Sequence, residues 1–334
     1  MDKSTLIYGG GAIGSFLGYC LYKSNHKIFF LCRKKNYINI KKYGLKINVY
    51  NNNILLKKIH LKESKNFIVI KSLKEVKKFK FNNIFITTKI TNNLKKIFLE
   101  IEKFVNKKTL IIPPCTSLPF WWYLCLKKQL HKKFEKNLDY IFIKNIKRKN
   151  LVGMTMWLSG KILKPGHVNI THIQRGFPIK EVFKANKFKV DSLRKDILKN
   201  CYSPKVKNIF SEIFIKSINS LTFNLIALKY EQNNYNLKKN IKAKKEILKM
   251  LNEGDYILKK NNLKIYQRPL SRINQTLKST SHTLSMLHAY LNNREIEIKE
   301  LWRSFEIILK TLNVKMNHTK KNFEIVKKKV YDNI

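Results

Sequence analysis

Apolar positions follow two regimes along this chain. In roughly the first 200 residues, short apolar runs with strand character alternate with stretches of helical period; beyond that only the helical period persists. Leu6-Ile7-Tyr8 reads as a strand, and Ser15-Phe16-Leu17-Gly18-Tyr19-Cys20-Leu21 as the helix that follows it. Lys27 to Cys32 reads as the second strand. Tyr43 to Val49 and Ile54 to Ile59, separated by Asn51-Asn52-Asn53, read as a hairpin. Asn83 to Lys89 and Thr109 to Ile112 are further strands with a helix, Asn93 to Val105, between them. Leu151 to Lys161, His167 to His172 and Phe177 to Phe183 read as strands, Pro165-Gly166 as a turn, and Val190 to Asn200 as a helix. After Cys201-Tyr202-Ser203-Pro204 the pattern predicts helices over Val206 to Tyr230, Asn240 to Lys260, Thr283 to Asn292 and Lys299 to Leu312, with Arg268-Pro269 in a loop. Gln129 to Asn150 gives no clear pattern. The expected architecture is α/β: an N-terminal Rossmann-type domain, 1–203, followed by an all-helical domain, 204–334.

The first strand and helix are joined by Gly9-Gly10-Gly11-Ala12-Ile13-Gly14. In a strand–turn–helix context this spacing predicts a dinucleotide site. Gly9 permits the tight turn, Gly11 lets the backbone approach a pyrophosphate, and Gly14 lets the helix pack on the strand. Ala12 and Ile13 open a helix whose N–H groups and positive end face the phosphates. Alone, the motif is also met in glycine-rich turns that bind nothing. The second strand ends at Arg33-Lys34-Lys35, where an NAD site would place an acidic residue for the ribose 2′-hydroxyl. A cation there suits a 2′-phosphate, so NADPH is expected over NADH. Lys89 ends a strand on the side where open α/β sheets gather ligands.

Composition narrows the classes. With 334 residues, 44% of them hydrophobic, the chain can bury two cores. No apolar run is long enough to cross a membrane, and Met1-Asp2-Lys3-Ser4 leads straight into the first strand, so no leader peptide is expected. The five cysteines are scattered without CxxC spacing, which argues against a disulfide framework or a metal site and fits a cytoplasmic protein. The net charge of +48 is carried mostly by lysines spread over the whole chain. That distribution reads as a solvated surface shaped by AT-rich coding, with no specific nucleic-acid partner.

In this order the elements resemble the ketopantoate reductase (2-dehydropantoate 2-reductase) family along nearly the whole chain. Gly9 to Gly14 matches its opening motif, Arg33 its 2′-phosphate arginine, Lys89 the lysine near cofactor and substrate, and Pro165-Gly166 a turn late in its first domain. In the second half, Lys216, Ser220 and Asn224 lie in a segment resembling the family's K-x-x-x-N-x-x-x-N helix. Ser285-Met286-Leu287 resembles its S-M-L motif, and Arg294 with Glu297-Ile298 its R-x-x-E-I.

The resemblance implies reduction of 2-dehydropantoate to pantoate, toward pantothenate and coenzyme A, by an NADPH-dependent monomer or homodimer. Lys216 takes the catalytic lysine position and Glu297 the carboxylate that tunes it. Ser220, Asn224 and Ser285 bind the 2-oxo acid, and Lys89 and Thr116 line the cofactor site. Residues at i, i+4 and i+8 share a helix face, so Lys216, Ser220 and Asn224 form one polar stripe among apolar neighbours. Taken singly, Lys216 equally reads as a surface lysine, Glu297 as half of an ion pair, Ser285 as a helix cap, and the Trp121-Trp122 pair as packing.

The chain departs from the family at several positions. Thr116 and Ser220 stand where asparagines are expected, Asn219 lies beside Ser220, Ala289 replaces an aspartate, Arg303 a glycine and Asn317 a proline. These leave two alternatives open: reduction of another 2-oxo acid or ketone, and a catalytically weakened nucleotide-binding protein with a basic surface.

Overall fold

The structure is a computed structural model that describes residues 3–51, 54–76, 79–89, 94–113, 117–136, 148–278 and 283–331. In chain order the elements begin with β1 (Lys3–Tyr8), α1 (Ala12–Tyr22), β2 (His26–Leu31), α2 (Lys34–Tyr43), β3 (Leu45–Asn51), β4 (Ile54–Leu61), β5 (Phe67–Ile70), β6 (Asn83–Ile86), α3 (Leu94–Ile101) and β7 (Leu110–Ile112). There follow α4 (His131–Lys136), β8 (Val152–Met154), β9 (Trp157–Lys164), β10 (His167–Gly176), β11 (Ile179–Glu181) and α5 (Lys187–Leu198). The remaining elements are all helical: α6 (Ile209–Tyr230), α7 (Asn234–Lys239), α8 (Ile241–Lys260), α9 (Pro269–Thr276), α10 (Ser285–Tyr290), α11 (Ile298–Leu312) and α12 (Asn317–Tyr331). No helix among the described residues is long and apolar enough to cross a membrane.

The chain forms two compact units, Met1–Cys115 with Phe142–Ile209, and Thr116–Ile141 with Phe210–Ile334. The crossover between them falls at 209/210, six residues beyond the expected 203/204, and the segment 116–141 packs with the later unit. Apolar bulk explains that allegiance. Trp121 and Trp122 are fully buried, their rings pack on Phe210 and Phe214, and Trp122 Nε1 donates to the Phe210 carbonyl at 2.9 Å. The tryptophan pair is packing, as the sequence reading expects.

In the first unit a parallel sheet runs in the order β5-β2-β1-β6-β7. Its central strands are buried on both faces, which is why they read as continuous apolar runs. A second sheet, β4-β3-β10-β9, holds the β3–β4 hairpin antiparallel as expected, and joins β3 to β10 in parallel. Helix α1 is buried along almost all of its length and packs on strands of both sheets. The span expected as one strand, Leu151 to Lys161, is two. Thr155 N–H donates to the Pro178 carbonyl between them, so β8 pairs with β11 and β9 with β10.

Six elements were not legible in the pattern, the short helices α4 and α7 among them. Helix α2 buries only Ile40 and is otherwise a lysine- and asparagine-rich surface turn of chain, stopped by Gly44 at φ 74°. Strand β5 is a short apolar run at the sheet edge. Helix α9 starts at Pro269, because proline fits the first helical position where no N–H is needed. Helix α12 buries Phe323, Val326 and Val330 beneath polar letters.

Candidate functional site

In the first unit the glycine turn sits at the C-terminal edge of the parallel sheet. Gly9 adopts φ 126°, a conformation side chains resist, and its N–H donates to the Leu31 carbonyl at 3.1 Å. A β-carbon on Gly14 would lie 2.1 Å from the Gly9 carbonyl oxygen and 2.5 Å from Thr87 Oγ1, so only glycine brings α1 this close to β1. Gly10 faces Cys32, whose Cβ would be 2.5 Å from an added methyl. Gly11 differs: a β-carbon there would meet nothing within 4 Å. The open side of the turn is therefore at Gly11, which also N-caps α1 without a side-chain bond and with no acidic residue in the first turn. The leading N–H groups of α1, those of Ala12, Ile13 and Gly14, have no intrahelical acceptors. Together with the helix dipole they make a cradle for an anion.

Two side chains brace the turn and were not foreseen in the sequence. Thr87 Oγ1 donates to the Gly9 carbonyl at 2.8 Å, and Asn36 Nδ2 donates to the Gly10 carbonyl at 3.0 Å. The only signal for Thr87 is its place at the end of β6, and for Asn36 its place one turn past Arg33. Thr88 Oγ1 is buried beside this turn and has no hydrogen-bond partner among the described residues. Arg33 N-caps α2 directly after Cys32 and is exposed, as are Lys34 and Lys35. Lys89 is exposed two residues after Thr87. Thr116 lies outside the described residues.

In the second unit α6 carries Lys216, Ser220 and Asn224 at four-residue spacing. The stripe extends one turn further back to Glu212, which is buried. Burial pulls the Lys216 ammonium down to about 8, and the Glu212 carboxylate opposes that shift. Lys216 is half-buried. Glu212 was missed in the sequence, although the i−4 spacing from Lys216 was a usable signal.

Asn224 is committed at both ends of its amide. Nδ2 donates to the Ser220 carbonyl at 2.8 Å, and Oδ1 accepts the Met286 N–H at 3.1 Å. Ser285 is the first residue of α10 and exposed; the cap position belongs to Leu284, whose side chain makes no bond. The helix-cap alternative for Ser285 is thus not what the fold uses. Glu297 is half-buried at the start of α11. Ala289 is buried, and its carbonyl accepts the Arg294 N–H at 2.8 Å.

Asn219 does not stand in for the asparagine absent at Ser220. It is buried on another face of α6, where its Oδ1 accepts from Arg272 Nη1 at 3.3 Å, and Arg272 also pairs with Asp255. Among the described residues no three His, Cys, Asp or Glu side chains gather as a metal site.

Residues 5–114 match the sequence model of the ketopantoate reductase PanE/ApbA family. No curated protein sequence matches the chain significantly. The fold matches the ternary structure of D-mandelate dehydrogenase with NADH and anilino(oxo)acetate at 18% identity, over 98% of each chain, with a TM-score of 0.75. It matches 2-dehydropantoate 2-reductase from Geobacter metallireducens GS-15 at 14% identity, over 98% of this chain and 99% of that one, with a TM-score of 0.76. A PanE/ApbA family ketopantoate reductase from Ralstonia eutropha JMP134 matches at 12% identity, over 97% of each chain, with a TM-score of 0.72. At such identities the structural likeness speaks for the fold. The sequence match to that family covers residues 5–114, the part of the chain that carries the glycine turn, and the likeness over the whole chain shows that the fold is shared with these structures.

Proposed function

We propose that the protein is an NADPH-dependent reductase of 2-dehydropantoate, forming pantoate for coenzyme A synthesis in the cytoplasm. The observation that carries this reading is the polar stripe of α6, with a half-buried lysine whose acidity lies at about 8. A group of that acidity is matched to giving up a proton near neutral pH.

The glycine turn fits the pyrophosphate of a dinucleotide: the N–H groups of Ala12, Ile13 and Gly14 donate to it, and the bare Gly11 leaves it room. Gly9 and Gly10 shape the turn, and Arg33 reaches the 2′-phosphate. When bound, NADPH supplies the hydride. Lys216 Nζ donates a proton to the carbonyl oxygen of the 2-oxo acid as negative charge grows there. Glu297 orients the lysine or the nascent hydroxyl. Ser285 donates to the substrate carboxylate, Ser220 binds the 2-oxo acid, and Lys89 and Thr116 are assigned to the cofactor. The family's small 2-oxo acid chemistry and the D-mandelate dehydrogenase fold match, a structure holding NADH, support a nicotinamide cofactor.

A second reading keeps the reaction and changes the substrate. Ala289 is buried and apolar where the resemblance expects an aspartate, and Ser220 is shorter than the expected asparagine. Those changes favour a 2-oxo acid or ketone with fewer polar groups to satisfy.

NADPH oxidation followed by absorbance, with 2-dehydropantoate beside a panel of 2-oxo acids, separates these. The first reading requires 2-dehydropantoate to have the highest kcat/KM. A better aliphatic or aromatic 2-oxo acid establishes the second, and no turnover with NADPH still bound rejects both.

A further inference from the structure

We propose that Asn224 is a positioning residue that caps α10 from another helix and thereby sets the orientation of Ser285. This deepens the reductase reading above, on which the role of Ser285 rests.

Helix α10 is six residues long, and the side chain at its cap position, Leu284, cannot accept a hydrogen bond. The N–H of Met286 lies in the first turn, where a helix has no acceptor of its own. Asn224 Oδ1 supplies that acceptor at 3.1 Å, from a residue 62 positions earlier in the chain. Its Nδ2 donates to the Ser220 carbonyl at 2.8 Å, and the whole side chain is 3% exposed. The orientation of the amide is determined, because a flip would set NH2 against the Met286 N–H and oxygen against the Ser220 carbonyl.

The bonded N–H belongs to the peptide that joins Ser285 to Met286. Fixing that peptide plane fixes the direction in which Ser285 leaves the backbone. The stripe of α6 thus does two jobs along one face. Lys216 offers a proton, and Asn224, two turns later, ties the same helix to the serine segment. An asparagine bonded at both ends in this way is a hinge pin between α6 and α10.

The test uses the full chain in three variants, Asn224→Ala, Asn224→Asp and Ser285→Ala, with thermal melting to confirm folding. Aspartate keeps the acceptor for Met286 and sets a second carboxyl oxygen, in place of the amide N–H, against the Ser220 carbonyl. Amide exchange over residues 285–290 is expected to rise about tenfold in Asn224→Ala, and to stay within about threefold of the parent in Asn224→Asp. For the best 2-oxo acid, Asn224→Ala is expected to raise KM about tenfold with kcat changed less than about threefold, and Asn224→Asp to restore KM. The Asn224→Ala, Ser285→Ala double variant is expected to show no greater KM than Ser285→Ala alone.

Unchanged exchange in Asn224→Ala overturns the cap. A KM in Asn224→Asp as high as in Asn224→Ala, with α10 still protected, overturns the positioning role, because the amide itself then meets the substrate. If the parent protein reduces no 2-oxo acid, the reductase reading fails, while the exchange arm still upholds or overturns the cap.

Discussion

Gly14 stands against the carbonyl of Gly9, where an added β-carbon would come within 2.1 Å of the oxygen. Gly11, three residues earlier, faces open space. The two glycines therefore separate packing from binding. Gly14→Ala is expected to destabilise the protein by about 1–3 kcal/mol through overpacking. Gly11→Ala, at φ −82°, leaves stability within about 0.5 kcal/mol while weakening dinucleotide binding about tenfold or more. Urea unfolding and titration of NADPH fluorescence measure both. Equal loss of stability in the two variants contradicts the separation.

Arg33 is exposed at the end of β2 with Lys34 and Lys35 behind it. Arg33→Ala is expected to raise the Kd for NADPH about tenfold or more and to leave that for NADH nearly unchanged, since only the former carries the 2′-phosphate. Equal weakening of both rejects the 2′-phosphate role.

Lys216 carries a pH signature. Burial lowers its pKa to about 8, so the ammonium that donates the proton is lost as pH rises through that value. The rate kcat/KM is expected to be level below about pH 8 and to fall about tenfold per unit above it. Lys216→Ala is expected to lower kcat about a hundredfold. Glu212→Gln removes the carboxylate favouring the ammonium and moves the inflection to lower pH. A profile unchanged in Glu212→Gln denies that coupling.

His26 supplies a stability switch at the other end of the same sheet. Because the Asp196 carboxylate can only accept, the neutral ring carries its proton on Nε2, and Nδ1 accepts the Thr5 hydroxyl at 2.9 Å, while Asn83 Nδ2 donates to Thr5 Oγ1 at 3.1 Å. His26 Nε2–H then donates to Asp196 at 3.1 Å. This network holds a neutral imidazole, and burial pushes its pKa below the ordinary 6.5, against the pull of Asp196. Below 6.5 the unfolded chain binds a proton that the folded one refuses, so stability is full above that pH and falls as pH drops toward the depressed folded value. Urea midpoints at pH 7.5 and 5.5 are expected to differ less in His26→Gln than in the parent. Identical differences exclude His26 as a source of the slope.

The placement of β1, α1, β2, β6 and β7 was readable because buried parallel strands must be apolar on both faces, and because glycine at positions 9 and 14 leaves a sequence mark. Helices α2 and α12 were not readable. Each buries few apolar residues beneath lysine and asparagine, so packing rather than pattern makes them helical. At the candidate site, the spacing of Lys216, Ser220 and Asn224 announced a shared face, which follows from helix geometry alone.

What the sequence determined by itself was the glycine turn, the central parallel strands and the polar stripe of α6, since all three rest on local periodicity and on side chains being absent. Tertiary structure decided what the stripe touches. It turned Asn219 toward Arg272, gave the Asn224 amide to Met286, brought Thr87 and Asn36 to the glycine turn, and drew the pKa of Lys216 down by burial. Each of these depends on a contact between residues far apart in the chain or on depth beneath the surface, and neither quantity is written in local sequence.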